Sequence, residues 1–167
     1  FTTPASAGAV PVYIYQNPYF MPRWYFANRI VWTESDDSKA LEGLKIIDDF
    51  KKTTLLETLT QNDPARMTQP NSNDTIELEL YTAGSLRVKT KTSGYRFFVF
   101  SESKFPPFWR ATVNGVETPI YTANYLYQAV LVPPGENHIE FNYPKLWEQG
   151  FIAARARIQS AFDGLSR

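Results

Sequence analysis

Between Thr75 and Tyr143 the chain is a succession of short segments in which apolar and polar residues alternate, each closed by turn-forming residues. A period of two puts alternate side chains on opposite faces of a strand, so the alternating segments read as β-strands with one wet face and one buried face. Asn114-Gly115 is the sharpest of the turn signals, because a two-residue type I′ hairpin needs positive φ at both positions. Pairing outward from Val113 and Val116 sets Trp109 opposite Ile120. In an earlier hairpin, Ile76, Leu78 and Leu80 alternate with Thr75, Glu77 and Glu79, while Leu86 and Val88 alternate with Arg87, Lys89 and Lys91. A three-residue loop Thr82-Ala83-Gly84, with Gly84 left-handed, would pair Leu80 with Leu86 and Leu78 with Val88. It would also set Glu79 opposite Arg87 and Glu77 opposite Lys89, worth about 0.2–1 kcal/mol per pair. A two-residue loop would place Leu80 against Arg87, so the hydrophobic pattern favours the longer turn.

The same pattern extends outward. Gly94–Phe100 reads as a strand buried on both faces. Tyr125–Val132 and His138–Tyr143 read as antiparallel strands joined by Pro133-Pro134-Gly135-Glu136, with Ile139, Phe141 and Tyr143 on one face. In the first half, Val12 and Ile14 predict a strand stopped by Asn17-Pro18, Trp24–Trp32 a second and Thr53–Leu59 a third. Between them Ala40, Leu41, Leu44, Ile47 and Phe50 form a helical stripe. Glu34, Asp36 and Asp37 precede it, and they read as caps for the free amides more readily than as a Ca²⁺ loop, for which the spacing is wrong. Residues 61–74 read as a loop containing a sequon in form, Asn73-Asp74-Thr75.

The expected fold is therefore mainly β: an antiparallel β-sandwich, jelly-roll-like or carbohydrate-binding-module-like, with one or two peripheral helices. Residues 1–10 form a flexible lead-in, 11–145 the sandwich domain with a helix near 38–50, and 146–167 a C-terminal amphipathic helix or tail. Phe151, Ala154, Ile158, Ala161, Phe162 and Leu165 fall at helical spacing there. The 167 residues amount to about one domain.

Composition removes many functions. Seventeen basic and seventeen acidic residues balance, which disfavours a nucleic-acid surface. There is no Cys and a single His, so thiolate catalysis, iron–sulfur clusters and cysteine or histidine-rich metal sites are excluded. No cofactor is called for. No apolar run approaches the ~18 residues of a membrane span, and a chain opening on Phe1 reads as an excised or processed piece. A serine hydrolase would have to use His138 with Ser101 or Ser103, and no nucleophile-elbow motif surrounds them. The eight glycines never cluster into a phosphate loop. A carboxylate-pair glycosidase stays open, although no pair stands out.

What remains is aromatic. The chain has twelve Phe, ten Tyr and four Trp. Phe105, Phe108, Trp109, Tyr121, Asn124, Tyr125 and Tyr127 crowd around the second hairpin. Rings that stack on sugar C–H faces, beside amides that bond their rims, make a carbohydrate site. The candidate glycan-binding residues are Trp109, Tyr121, Asn124, Tyr125 and Tyr127, and the competing reading is that these rings fill the core.

Three stretches carry a family likeness. Tyr15-Gln16-Asn17-Pro18 through Met21-Pro22-Arg23-Trp24 is the first, and Ser101-Glu102-Ser103 with Phe108-Trp109-Arg110-Ala111-Thr112-Val113-Asn114-Gly115 the second. The third runs from Pro119-Ile120-Tyr121 and Ala123-Asn124-Tyr125 to Pro134-Gly135, His138, Phe141 and Tyr143. Together they resemble the extracytoplasmic C-terminal region of the YfhO-like bacterial integral membrane proteins, which are related to GT-C type, lipid-linked-sugar glycosyltransferases. Two departures stand out: Pro107-Phe108-Trp109 replaces the family's Pro-Gly-Trp, and Pro144 directly follows Tyr143. The resemblance implies a noncatalytic β-sandwich on the outer face of a bacterial membrane, part of a polytopic protein of envelope glycan transfer. Its partners would be its own transmembrane region and an envelope glycan or lipid-linked sugar. Catalytic carboxylates are expected in the membrane part, so any enzymatic activity would belong to the parent protein. Asn17, Pro22 and Arg23 are read as structural, as are Asn114 and Gly115, with an acceptor-binding Arg23 the sharper alternative. A secreted lectin-like module and a structural domain packed on its own membrane part are the other readings.

Overall fold

The computed structural model describes residues 13–17, 20–58, 71, 73–104 and 108–144. The lead-in over 1–10, most of the 61–74 loop, Phe105 and the C-terminal helix expected over 146–167 lie outside them. Within them the fold is a β-sandwich of two sheets. The strands are β1 (Trp24–Phe26), β2 (Arg29–Thr33), β3 (Thr53–Glu57), β4 (Thr75–Thr82), β5 (Ser85–Thr92), β6 (Arg96–Phe100), β7 (Arg110–Val113), β8 (Val116–Thr118), β9 (Tyr121–Ala123), β10 (Tyr127–Val132) and β11 (Gly135–Asn142), with one helix, α1 (Asp37–Lys45). One sheet runs β1-β6-β10-β9-β3-β2 and the other β4-β5-β11-β7-β8. All pairings are antiparallel except β2 with β3, which α1 connects as the crossover that parallel strands require.

The six-stranded sheet is curled. β1 and β2 are its opposite edges, yet only Ala27 and Asn28 separate them, a reach of about 11 Å at most. Trp32, on the β2 edge, accordingly meets Phe97 of β6 edge-on at 5.7 Å and Tyr121 of β9 at 6.1 Å. Strand alternation then builds three cores. Phe98, Phe100, Val130 and Val132 face Leu86, Val88, Ala111, Ile139 and Phe141 of the other sheet. Phe97, Val99, Tyr121, Ala123 and Ala129 fill the inside of the curl with Leu56. Leu55 points the other way, to Ala40 and Ile47 under α1. Phe97–Phe100 are thus buried on both faces, as their unbroken apolar run predicts.

Several expectations are corrected. Residues 13–17 lie in no strand, and Ile14 is 84% exposed. The stretch from Trp24 to Trp32 breaks at Ala27-Asn28, where the Ala27 N–H bonds to Phe97 O and the chain crosses between sheet edges. The helix ends at Lys45 rather than Phe50; Ile47 and Phe50 still reach the Ala40–Leu55 core from the turn beyond it. Gly43 permits the close approach of helix to strand, since a Cβ there would sit 2.8 Å from Leu55 Cδ1. Asp36 caps α1, accepting from the Lys39 N–H at 3.0 Å. Asp36→Ala is expected to cost about 1 kcal/mol in urea unfolding, and an unchanged midpoint would deny the cap.

The first hairpin turns at Ala83-Gly84, with Thr82 opposite Ser85 and Leu80 opposite Arg87, the alternative the hydrophobic pattern disfavours. A bulge between Leu78 and Leu80 then restores Leu78 opposite Val88 and Glu77 opposite Lys89. Tyr81 explains the outcome. It takes the inward place opposite Leu86, and its ring reaches Trp24 at 5.5 Å and Phe100 at 6.3 Å. Gly84 does not adopt positive φ. Glu79 leaves Arg87 and approaches His138, while Arg87 bonds Glu140 at 2.8 Å.

Asn114-Gly115 behaves as predicted, with φ of 54° and 77° and Val113 opposite Val116. The expected second strand of this hairpin is split at Pro119-Ile120: β8 stays in the five-stranded sheet and β9 joins the curled one. A proline, lacking an N–H, suits the point where the chain leaves a ladder. The Pro133-Pro134 link likewise carries the chain from one sheet to the other, so β10 and β11 are not paired with each other.

Candidate functional site

The rings among the five candidate glycan-binding residues pack on three different cores; Tyr121 is buried and the other four residues are half-buried. Trp109 is half-buried against the inter-sheet core, with its ring 5.8 Å from Phe100 and 5.2 Å from Tyr143. Tyr121 is buried inside the curl, 5.1 Å from Phe97, and Tyr127 packs on the same core. Tyr125, at φ 72°, packs toward the α1 core. Asn124 has a positive φ of 47° and fastens the β9–β10 turn to β3. Its Oδ1 accepts from the Leu55 N–H at 2.8 Å, its own N–H donates to Leu55 O at 2.8 Å, and Nδ2 donates to the Tyr25 hydroxyl at 3.2 Å. Burial pushes the Tyr25 phenol pKa up, with hydrogen bonds from Thr54 and Asn124 opposing it.

The residues of the first resembling stretch sit against those of the second. The Phe20 N–H turns back to Asn17 O at 3.4 Å. Ser101 N–H donates to Arg23 O at 2.8 Å, and the Ser101 hydroxyl donates to Pro22 O at 3.3 Å. Arg23 Nη1 donates to Ser101 O at 3.2 Å and lies 3.7 Å from Glu102, with its guanidinium 5.8 Å above the Tyr81 ring. Arg23 thus holds the chain entering β1 against the chain leaving β6. Asn114 is equally occupied, accepting from the His138 N–H and donating to Asn137 Oδ1. His138 itself is exposed, with Glu79 at 3.7 Å from Nδ1.

Two features escaped sequence reasoning. One is a cleft of about 330 Å³ beside β1, walled by Phe20, Pro22, Tyr25 and Phe26, with Asn28 and Lys51 on its polar side. Asn28 Nδ2 donates to Lys51 O at 3.0 Å, and the Lys51 ammonium stands 5.5 Å over the Phe20 ring. Its residues come from two segments that only the fold brings together, although Phe20 and Pro22 within one resembling stretch are a signal. The other is a polar cluster on the outer face of β3 and β9. Lys104 Nζ donates to Thr122 Oγ1 at 2.8 Å; Thr122 in turn bonds the Glu57 carboxylate, and Ser35 Oγ donates to Glu57 Oε2 at 3.3 Å. Burial lowers the Lys104 pKa and raises that of Glu57, each against the pull of the opposite charge.

Gln128, opposite Thr122 on the neighbouring strand, is wholly buried. Its Nε2 makes only two 3.5 Å contacts, to Glu102 O and Ser103 O, and Oε1 has no partner among the described residues. An unsatisfied buried acceptor is costly. Gln128→Met, similar in length and apolar, is expected to raise stability by about 1 kcal/mol, read as a higher urea midpoint; an equal fall would show the amide to be firmly held.

Among the described residues no group of His, Cys, Asp or Glu could hold a metal ion, and no helix is long and apolar enough to cross a membrane. Compared with protein-family models, with curated proteins and with solved structures, the chain matches none.

Proposed function

We propose that this chain is a noncatalytic extracytoplasmic domain of a bacterial polytopic membrane protein of envelope glycan transfer, as its YfhO-like resemblance implies. The observation that carries the reading is the junction of Pro22-Arg23 with Ser101-Glu102: residues from two resembling stretches, far apart in sequence, support each other at the start of the sandwich. A catalytic role finds little support among the described residues. In the Lys104–Thr122–Glu57 cluster Thr122 bonds both charged groups, and the Ser101 hydroxyl donates to a backbone carbonyl.

A second reading, a structural domain packed on its own membrane part, is favoured by one observation. Tyr13, Ile14, Tyr15 and Phe20 are each at least 60% exposed along the approach to β1, an apolar run of the kind that another surface covers.

Reading the coding frame on both sides of Phe1 and Arg167 tests the proposal. Several flanking apolar runs longer than about 18 residues would support the membrane parent. A signal peptide with no spans would overturn it in favour of a secreted sugar-binding module.

A further inference from the structure

We propose that the free edge of β4 is a docking site for an extended segment of a partner protein in which apolar residues alternate with Lys or Arg. The segment would join the sheet as a further strand, and the site stands whether or not the parent chain spans a membrane.

The edge is long. Among the described residues β4 pairs with β5 alone, so every second residue turns its N–H and C=O away from the ladder. It has eight residues, against three in β1 and β8 and five in β2, the other edge strands. Edges that must stay single are kept short or carry Lys or Pro, and Thr75–Thr82 contains neither. The bulge between Leu78 and Leu80 ends the regular stretch, so a partner would pair with Thr75–Leu78 and stop there.

The apolar row of this strand is unfinished. Ile76, Leu78 and Tyr81 stand on the side that faces the core between the sheets, opposite Thr90, Val88 and Leu86. Leu78 nevertheless keeps 47% of its surface in water and Tyr81 39%, whereas Val88 keeps none and Leu86 1%. The cause is the facing edge of the curled sheet: β1 is short and meets this row at Tyr81, through Trp24. A strand beside β4 would lay its own alternate apolar side chains over the row, the mode in which main-chain bonds give affinity and side chains give specificity.

Charge selects the occupant. Glu77 is exposed on the outer face, between Lys89 on the β5 side and the open edge on the other. Opposite charges directly across a strand pair attract and like charges repel. The partner residue facing Glu77 is therefore Lys or Arg, with an apolar residue on either side of it. β5 already displays this complement on the other flank, with Lys89 opposite Glu77 and Val88 opposite Leu78. A second copy of the chain is a poor occupant. Full antiparallel overlap of Thr75–Leu78 with itself sets Glu77 against Ile76, a charge on the apolar side. Shifting by one residue restores the faces but shortens the ladder.

The test is amide NMR on the full 167-residue chain, titrated with an end-capped peptide copying Ser85–Thr92, the sequence that already complements β4. The expected result is saturable shifts centred on Thr75–Leu78. A peptide carrying Arg87→Glu, Lys89→Glu and Lys91→Glu should bind about fivefold more weakly, and Glu77→Lys in the protein should erase that preference. Glu77 is exposed, so the variant's spectrum away from β4 should remain that of the wild type. Two further peptides identify strand addition itself, one N-methylated at Leu86, Val88 and Thr90 and the other at Arg87, Lys89 and Lys91. One should fail to bind and the other should bind normally, because only one alternate set of amides faces β4. Absent shifts, shifts confined to other residues, equal affinity for basic and acidic peptides, or equal behaviour of the two methylated peptides would each overturn the assignment. Concentration-dependent shifts at Thr75–Leu78 without peptide would overturn it in favour of a second copy.

Discussion

Removing either partner of the Asp74–Arg96 pair is expected to cost about 3–5 kcal/mol of folding stability. Arg96 opens β6 with a wholly buried side chain, and Asp74, just ahead of β4, is nearly so, with Nε and Oδ2 2.6 Å apart. The carboxylate also accepts from the Ser93 N–H and hydroxyl and from the Asn71 N–H. Arg96 donates further to Tyr95 O and Ser93 Oγ. Either single variant, Asp74→Leu or Arg96→Met, leaves an uncompensated charge in a dry site. The double variant leaves none, and should recover most of the loss. Urea unfolding of the three variants decides it; single losses under about 1 kcal/mol, the worth of an exposed pair, would refute the account.

The same pair sets an acid limit. Burial alone would raise the Asp74 pKa, but the Ser93 amide, the Arg96 guanidinium and the Asn71 amide together hold it below the ordinary carboxylate value. The folded state therefore takes up this proton less readily than the unfolded chain. Its contribution is fully present above about pH 4, the unfolded carboxylate range, and is lost as pH falls through the lower folded value. The melting temperature of the wild type should accordingly drop more steeply below about pH 4 than that of the Asp74→Leu/Arg96→Met double variant. Parallel curves would show that Asp74 is not the titrating group.

Phe97→Ala is expected to lose about 3–5 kcal/mol as well. Phe97 is wholly buried within the curl, and its ring meets the edges of Tyr121 at 5.1 Å and Trp32 at 5.7 Å. Those two come from the fourth and the last strand of the sheet, so the vacated space lies where three strands converge and cannot be closed by moving one side chain. Thermal melting gives the size of the loss, and the Trp32 environment should redden the intrinsic fluorescence as water gains access. A loss under about 1 kcal/mol would mean that the curl is not packed as described.

Local patterns were legible wherever one residue dominates the local energetics. Asn114-Gly115 set its turn, Asp36 its cap, and the Phe97–Phe100 run its double burial. Sheet membership was not legible, because a period of two says which way a side chain points but not which sheet receives it. Hence Val116–Tyr121 read as one strand although its two ends serve different sheets, and Tyr125–Val132 read as the partner of His138–Tyr143. The Tyr81 hairpin failed for a related reason: its register is decided by rings on β1 and β6, which no local comparison of Leu80 with Arg87 can weigh. The candidate site suffered most. Trp109, Tyr121 and Tyr127 carry the ring chemistry of a sugar platform, yet Tyr121 and Tyr127 pack on the core inside the curl and Trp109, just ahead of β7, on the core between the sheets.

The placement of β1 and β2 at opposite edges of one sheet has a consequence for synthesis on the ribosome. Trp24 pairs with Phe100, and β6 is itself held on its other side by β10. The opening strand thus emerges first and has no ladder to join until most of the domain has left the tunnel. The β4–β5 and β7–β8 hairpins need only their own residues and can form on the microsecond scale. Closure of the curl waits on non-local pairing, the slow kind. The curled sheet therefore matures against the direction of its translation: β1 waits for β6, and the β2–β3 pair waits longer still, for β9.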